Sequence, residues 1–225
     1  ATPEIISAPD WSDLDRLNRE RELVGIYLSA HPLDEYQIIL ENVCNVKMAE
    51  LADLTPLQNR DLVMGGVVTG VREGYTKTGK PYGVAKLEDY SGSAEFIFFG
   101  NEWVEKKNFF NVGMFLYMKG KCQPKQWKQD EYEVKVNTIE LLSDVKEEVI
   151  ERLTVSVPLS EINDEFIEEF SSLAKAHPGN VLLDFYVRDE EGQHISLTSR
   201  KWKINVEKDI IAYLKSQSML SYKIN

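Results

Sequence analysis

Between residues 61 and 142 the hydrophobic period changes, and that change constrains the fold more than any other feature of the sequence. Apolar residues alternate there instead of recurring every three or four positions, so the segment reads as strands. Leu62, Met64, Val67 and Val71 mark a first extended run, whose Gly65-Gly66 pair predicts a bulge or sharp bend. Residues 73–81 form a flexible polar tip, and Tyr82, Val84 and Leu87 make a second strand closed by Asp89-Tyr90-Ser91-Gly92. Ala94 to Phe99 is a third, strongly apolar strand in which Phe96 and Phe98 read as core and Phe99 as a candidate base stacker. Asn101 to Phe110 has the spacing of a short helix. Met114 to Cys122 and Tyr132 to Leu142 are the fourth and fifth strands, joined by a polar loop over 123–130.

The flanks are different. Trp11, Leu14, Leu17, Arg21, Val24 and Leu28 draw a helical stripe, Ser12 offers a cap, and His31-Pro32 ends it. A second short helix is expected from Asp34 to about Asn42, and one more turn near Glu50 to Leu54. Beyond 142, Leu153, Val155 and Val157 alternate as a strand. Ser160 reads as the cap of a helix with Ile162, Phe166, Phe170 and Leu173 on its apolar side. A strand pair (181–187 and 194–197) and a final helix carrying Val206, Ile210, Ile211 and Leu214 complete a βαββα unit. Five short strands with a helix between the third and fourth are the arrangement of a five-stranded OB-fold β-barrel, although pattern alone leaves other antiparallel barrels open. The fold class expected is therefore α+β: a helical segment (1–60), the OB barrel (61–142) and a small mixed αβ domain (143–225).

The 225 residues are 43% hydrophobic, enough for a packed core, and no apolar run reaches the ~18–20 residues that span a bilayer. The start lacks the basic-then-apolar order of a signal peptide. Cys44 and Cys122, with three histidines, offer no zinc set and fit a reducing, cytoplasmic setting. The net charge of −11 argues against a nucleic-acid-coating protein, but it is unevenly spread. Residues 1–60 hold 5 basic and 11 acidic groups, residues 61–142 hold 11 and 11, and residues 143–225 hold 10 and 15. An anionic partner is thus expected at the middle segment.

Enzyme motifs are missing from the sequence. Gly65-Gly66 and Gly70 lead into no phosphate-binding turn, and there is no nucleophile elbow. Acidic pairs such as Glu88-Asp89 and Glu147-Glu148 are what chance supplies among 37 carboxylates. His31 and His177 each precede a proline, which suits loop or cap roles. The positive signal is basic and aromatic. Arg72, Lys77, Lys80 and Lys86 lie on the first two strands and their hairpin, and Lys119, Lys121, Lys125 and Lys128 on the fourth strand and the loop after it, interleaved by Tyr75, Tyr82 and Trp127. In an OB barrel those loops flank the strand 2–3 face that binds oligonucleotides, lysines following phosphates while rings stack bases. Lysine-rich hairpin tips are also ordinary in soluble barrels. These eleven residues are the nucleic-acid-binding set; no catalytic or metal-binding residue and no cofactor is expected.

Glu22-Leu23-Val24-Gly25-Ile26-Tyr27-Leu28-Ser29-Ala30-His31-Pro32-Leu33-Asp34-Glu35-Tyr36 closely resembles the stretch preceding the OB domain in the alpha subunit of bacterial DNA polymerase III, where a glycine commonly stands at Ala30. Thr76-Lys77-Thr78-Gly79-Lys80-Pro81-Tyr82 and Leu87-Glu88-Asp89-Tyr90-Ser91-Gly92 resemble steps of that family's OB domain, and Leu153 to Pro158 with His177-Pro178-Gly179 its C-terminal domain. The resemblance implies a non-catalytic piece of a DNA-directed DNA polymerase, a nucleotidyltransferase whose metal-binding aspartates lie upstream. It implies an OB domain on single-stranded template DNA and a C-terminal domain on the tau subunit of the clamp loader. The family's main clamp-binding motif is not found in residues 1–21, and no membrane partner is implied. For the tau contact, Trp202, Tyr213, Met219, Leu220 and Tyr222 supply large apolar side chains, with Met219, Leu220 and Tyr222 past the last helix and so expected to be dispensable for folding. Gln217-Ser218-Met219-Leu220 faintly resembles a sliding-clamp peptide, without the following phenylalanine. Two other readings fit the barrel: the anticodon-binding OB region of an aminoacyl-tRNA synthetase, and an OB serving only as scaffold. The absence of synthetase class motifs after residue 142 weighs against the first.

Overall fold

The computed structural model describes Leu23 and residues 31–125, 128–146 and 148–225. The expected stripe from Trp11 to Leu28 and the side chain of Trp127 lie outside these described residues.

The middle segment forms β1 (Asp61–Tyr75), β2 (Pro81–Glu88), β3 (Ser93–Phe99), α2 (Asn101–Lys106), β4 (Phe115–Lys125) and β5 (Lys128–Leu141), preceded by α1 (Gln37–Asn42). Their antiparallel order is β3-β2-β1-β4-β5. Alternation works as the sequence predicts. Leu62, Met64, Val68, Leu87, Phe96, Phe98, Leu116 and Met118 point inward and are almost fully buried. Each removes apolar surface worth about 1.5–3 kcal/mol.

Two expectations are corrected. Among the described residues no ladder joins β3 to β5, so the sheet coils without closing into a barrel. Side chains of α2 reach the β5 edge of this seam. Lys106 Nζ donates to the Val136 carbonyl at 2.5 Å, while Glu102 accepts from Lys106 at 2.7 Å and from Lys135 at 2.6 Å. A cleft of about 660 Å³ remains between the two edge strands. The bulge in β1 falls between Val68 and Gly70, not at Gly65-Gly66. Those two glycines serve close approach instead: a Cβ on Gly65 would sit 2.6 Å from Leu40, and one on Gly66 2.7 Å from the Glu88 carbonyl oxygen.

Below the sheet, α3 (Leu142–Val145) leads into β6 (Arg152–Pro158), α4 (Asp164–Ala176), β7 (Pro178–Arg188), β8 (His194–Ile204), α5 (Lys208–Ser216) and β9 (Ser221–Ile224). The order is β8-β7-β6-β9, with β6 and β7 parallel through the α4 crossover and the other pairs antiparallel. The unit is therefore βαββαβ. The sequence reading lacked its last strand because four residues give too short an alternation to register. It also misplaced the cap: α4 begins at Asn163, whose Oδ1 accepts from the Phe166 amide at 2.9 Å, rather than at Ser160.

One apolar cluster runs through all three expected segments. Leu33, Tyr36 and Ile39 meet Val67 and Tyr117 on the outside of β1 and β4, and the cluster continues through Leu142 and Val145 to Leu153, Val155, Phe170 and Leu214. Among the described residues no helix is long and apolar enough to cross a membrane.

Candidate nucleic-acid interface

The bulge in β1 sets what the outer face of the first three strands presents. Past it, Gly70, Arg72 and Gly74 stand opposite Lys86, Val84 and Tyr82, which stand opposite Glu95, Ile97 and Phe99. Gly74 matters because the Tyr82 ring lies across it; a Cβ there would be 3.0–3.1 Å from the ring and hydroxyl. Tyr82 and Phe99 have centroids 6.1 Å apart. Phe99 is 53% and Ile97 54% exposed, against 5% and 2% for Phe96 and Phe98. A small platform of two rings and one aliphatic side chain thus faces solvent.

At one end of this platform stands the β1–β2 hairpin. Tyr75 is exposed there, as are Lys77 and Lys80, which have no ion-pair partner among the described residues. The tip is a hydrogen-bonded turn. Thr76 donates its amide to the Lys80 carbonyl at 2.8 Å, its hydroxyl accepts the Lys80 amide at 3.1 Å, and Gly79 adopts φ +78°, a conformation glycine takes without cost.

Other predicted cations are less available. Arg72 pairs with Glu95 at 2.8 Å. Lys125 bonds Glu131 at 2.7 Å, and Lys128 bonds the other oxygen of the same carboxylate. These two lysines, the first foremost, hold Glu131 down at about 2, so it stays ionised near neutrality. Lys119 and Lys121 pair with Val63 and Asp61 at the opposite end of β1 from the hairpin tip, and the Lys119 ammonium sits 5.4 Å over the Tyr117 ring. Lys125 does line the seam cleft beside Ile97 and Phe99. The predicted set therefore divides: Arg72, Tyr82 and Lys86 share the outer face of the coiled sheet, Tyr75, Lys77 and Lys80 belong to the hairpin at its end, Lys125 and Lys128 border it as an ion pair, and Lys119 and Lys121 lie elsewhere. Ile97 escaped the sequence reading, although β3 alternation, with Phe96 and Phe98 inward, already puts it outward.

The apolar residues expected at a protein contact divide too. Tyr213, Met219 and Leu220 line a depression of about 270 Å³ beside α4, where the Tyr213 hydroxyl donates to Glu169 at 3.1 Å. Burial, then that hydrogen bond, push the Tyr213 pKa up to about 12. Trp202 lies outside this depression under the ammonium groups of Lys201 and Lys175, at 4.9 and 5.8 Å. Tyr222 belongs to β9 opposite Val155 and packs against the core, so the tail past α5 is structural, contrary to expectation. Among the described residues no cluster of three metal-ligating side chains occurs. Cys44 and Cys122 are free, and burial pushes Cys44 up to about 12, leaving a protonated, unreactive thiol.

An OB-type coiled sheet with an appended αβ unit is the class this chain represents. Residues 62–142 match the OB-fold nucleic acid binding domain family, and residues 153–225 match the C-terminal domain of the DNA polymerase III alpha subunit. Across nearly its whole length the chain is similar to such alpha subunits. It is 27% identical to the DNA polymerase III subunit alpha of Vibrio cholerae over 92% of this chain and 18% of that protein. Identity is 24% to the Bacillus subtilis subunit over 95% and 18%, and 32% to that of Treponema pallidum over 45% and 8%. The chain thus spans less than a fifth of the length of these relatives. Asparaginyl-tRNA synthetase from Pyrococcus horikoshii aligns at 16% identity with a TM-score of 0.30, covering 43% of this chain and 21% of that one, too slight a likeness to carry an argument.

Proposed function

We propose that this chain is a non-catalytic portion of a replicative DNA polymerase alpha subunit that binds single-stranded template DNA on the outer face of β1–β2–β3. The observation that carries this reading is the Tyr82–Phe99 platform beside Lys77 and Lys80, which lack an ion-pair partner among the described residues. Rings of this kind stack bases at ~1–3 kcal/mol each without regard to sequence, and lysines at the rim follow the phosphates. Relationship to alpha subunits supports a role in chromosomal replication, in the bacterial cytoplasm.

The chain contributes binding and no chemistry: metal-dependent nucleotidyl transfer needs clustered carboxylates. Its second role in this reading is contact with the tau subunit of the clamp loader through the C-terminal unit, centred on the depression around Met219, which is 52% exposed and not required for the core. A sliding-clamp contact through Gln217 to Leu220 is subordinate to it, since Leu220 packs inward.

Fluorescence anisotropy of a labelled oligothymidylate against salt tests the first role. Single strands are expected to bind more tightly than duplex, and neutralising Lys77 and Lys80 together to flatten the salt slope by about 1.4, at ~0.7 for each phosphate that no longer meets a lysine. No binding at low salt, or an unchanged slope in the double variant, refutes it. Calorimetry of tau with Met219→Ala tests the second role, and unaltered affinity moves the tau interface elsewhere.

A further inference from the structure

The C-terminal sheet has two unlike faces. Leu153, Val155, Val157, Leu183 and Val187 turn toward α4 and α5 and are buried. The alternate residues turn the other way, and no element among the described residues covers them. Lys215 of α5 reaches Glu41 of α1 at 3.6 Å, so the helical side faces the rest of the protein and the bare face looks outward.

That bare face carries a charge opposite to its surroundings. Residues 143–225 hold 15 acidic and 10 basic groups, and α4 alone contributes Asp164, Glu165, Glu168 and Glu169 on the helical side. The register places Arg152, Arg188, Lys203 and Lys223 on the open face, with the Asp184 carboxylate among them. Arg152 is bound to Asp184. Arg188, Lys203 and Lys223 are exposed and have no ion-pair partner among the described residues. Between these cations the Tyr186 and His194 rings lie in contact, tilted by 30° with centroids 4.8 Å apart. Hydroxyls of Ser156 and Ser196 flank Tyr186 on either side.

We infer that this face is a second binding surface for single-stranded nucleic acid, separate from the β1–β2–β3 face. A bare sheet with available cations around a pair of aromatic rings in contact offers phosphates and bases their respective partners. Its positive sign within an acidic domain selects a polyanion, and the rings select a polyanion that has bases over an acidic peptide.

The experiment uses the full chain and an oligothymidylate bearing 5-iododeoxyuridine, cross-linked by light and mapped by mass spectrometry. Cross-links are expected at Tyr186 or His194, and they should persist when Tyr82→Ala and Phe99→Ala disable the other face. Arg188→Gln, Lys203→Gln and Lys223→Gln together should flatten the salt slope by about 2, at ~0.7 per phosphate. Ser196→Glu, which only adds a negative charge, should weaken binding in the same direction. Absence of cross-links within residues 181–204, with an unchanged slope in the triple variant, overturns the inference whether or not the β1–β2–β3 face cross-links. Displacement of the oligonucleotide by polyglutamate at equal charge concentration overturns it in favour of an acidic protein partner.

Discussion

Glu131 decides what the β4–β5 hairpin can offer an anion. Its carboxylate takes hydrogen bonds from both Lys125 and Lys128, which is why its pKa sits at about 2. A depressed acid contributes its ion pairing above the ordinary carboxylate value and loses it as pH falls toward 2, so both lysines remain engaged at neutral pH. Glu131→Gln is expected to release them and strengthen single-strand binding, steepening the salt slope by up to about 1.4, read by anisotropy. On the platform, Tyr82→Ala or Phe99→Ala should each weaken binding by ~1–3 kcal/mol with little change in slope, because stacking releases no counterions. Gly83 makes a separate point about packing: a Cβ there would fall 2.3 Å from the buried Trp103 indole. Gly83→Ala should cost about 1–3 kcal/mol by overpacking, visible as a lower Tm.

At the scale of elements, β9 is the part whose role the sequence concealed. It pairs with β6 from Leu153 to Ser156, buries Ile224, and ends where the Asn225 amide donates to the Arg152 carbonyl at 2.9 Å. Ile224→Ala should cost about 2–5 kcal/mol, and removing residues 217–225 should lower Tm sharply, while Met219→Ala should leave it nearly unchanged. Element existence was otherwise legible: the five alternating runs, the short helix expected from Asn101 and the helix stripe through Phe166 and Phe170 all appear, although α2 stops at Lys106 instead of running to Phe110, and β4 and β5 extend into the expected 123–130 loop. The bulge was not, because Gly65-Gly66 carries the sequence signal for a bend and yet exists to admit Leu40 and the Glu88 carbonyl oxygen. A close approach between distant segments leaves the same local residue choice as a bend.

At the scale of the whole molecule, the shared core predicts that residues 31–60 are not a dispensable leader to the sheet. Leu33 is fully buried in a cluster that spans the middle sheet and the C-terminal unit, and Leu33→Ala should cost about 2–5 kcal/mol, read as a lower Tm. The seam adds an acid-dependent element. Burial alone would raise the pKa of Glu102, but hydrogen bonds from Lys106 and Lys135 outweigh it and hold the carboxyl below its ordinary value. Its stabilisation is therefore present above the ordinary carboxylate pKa and lost as pH falls through the lowered one. Glu102→Gln should lower Tm at pH 7 and converge with the unsubstituted protein in acid.

What the sequence determined by itself was the alphabet of the fold: period-two strands in the middle, a helical stripe through Phe166 and Phe170 beyond them, turns at glycine and proline, and the inward set of β3 with Phe96 and Phe98 buried. These follow from one chain's local geometry, since alternation and a 3.6-residue stripe need no distant partner to be expressed. Tertiary structure decided which cations are available, because Lys125, Lys128 and Arg72 differ from Lys77 and Lys80 only in the carboxylates that folding brings beside them. It also decided that the sheet stays open between β3 and β5, and that an acidic domain turns a basic face outward. Charge totals along a chain cannot carry that last fact, since the strand register alone sorts alternate residues to opposite sides.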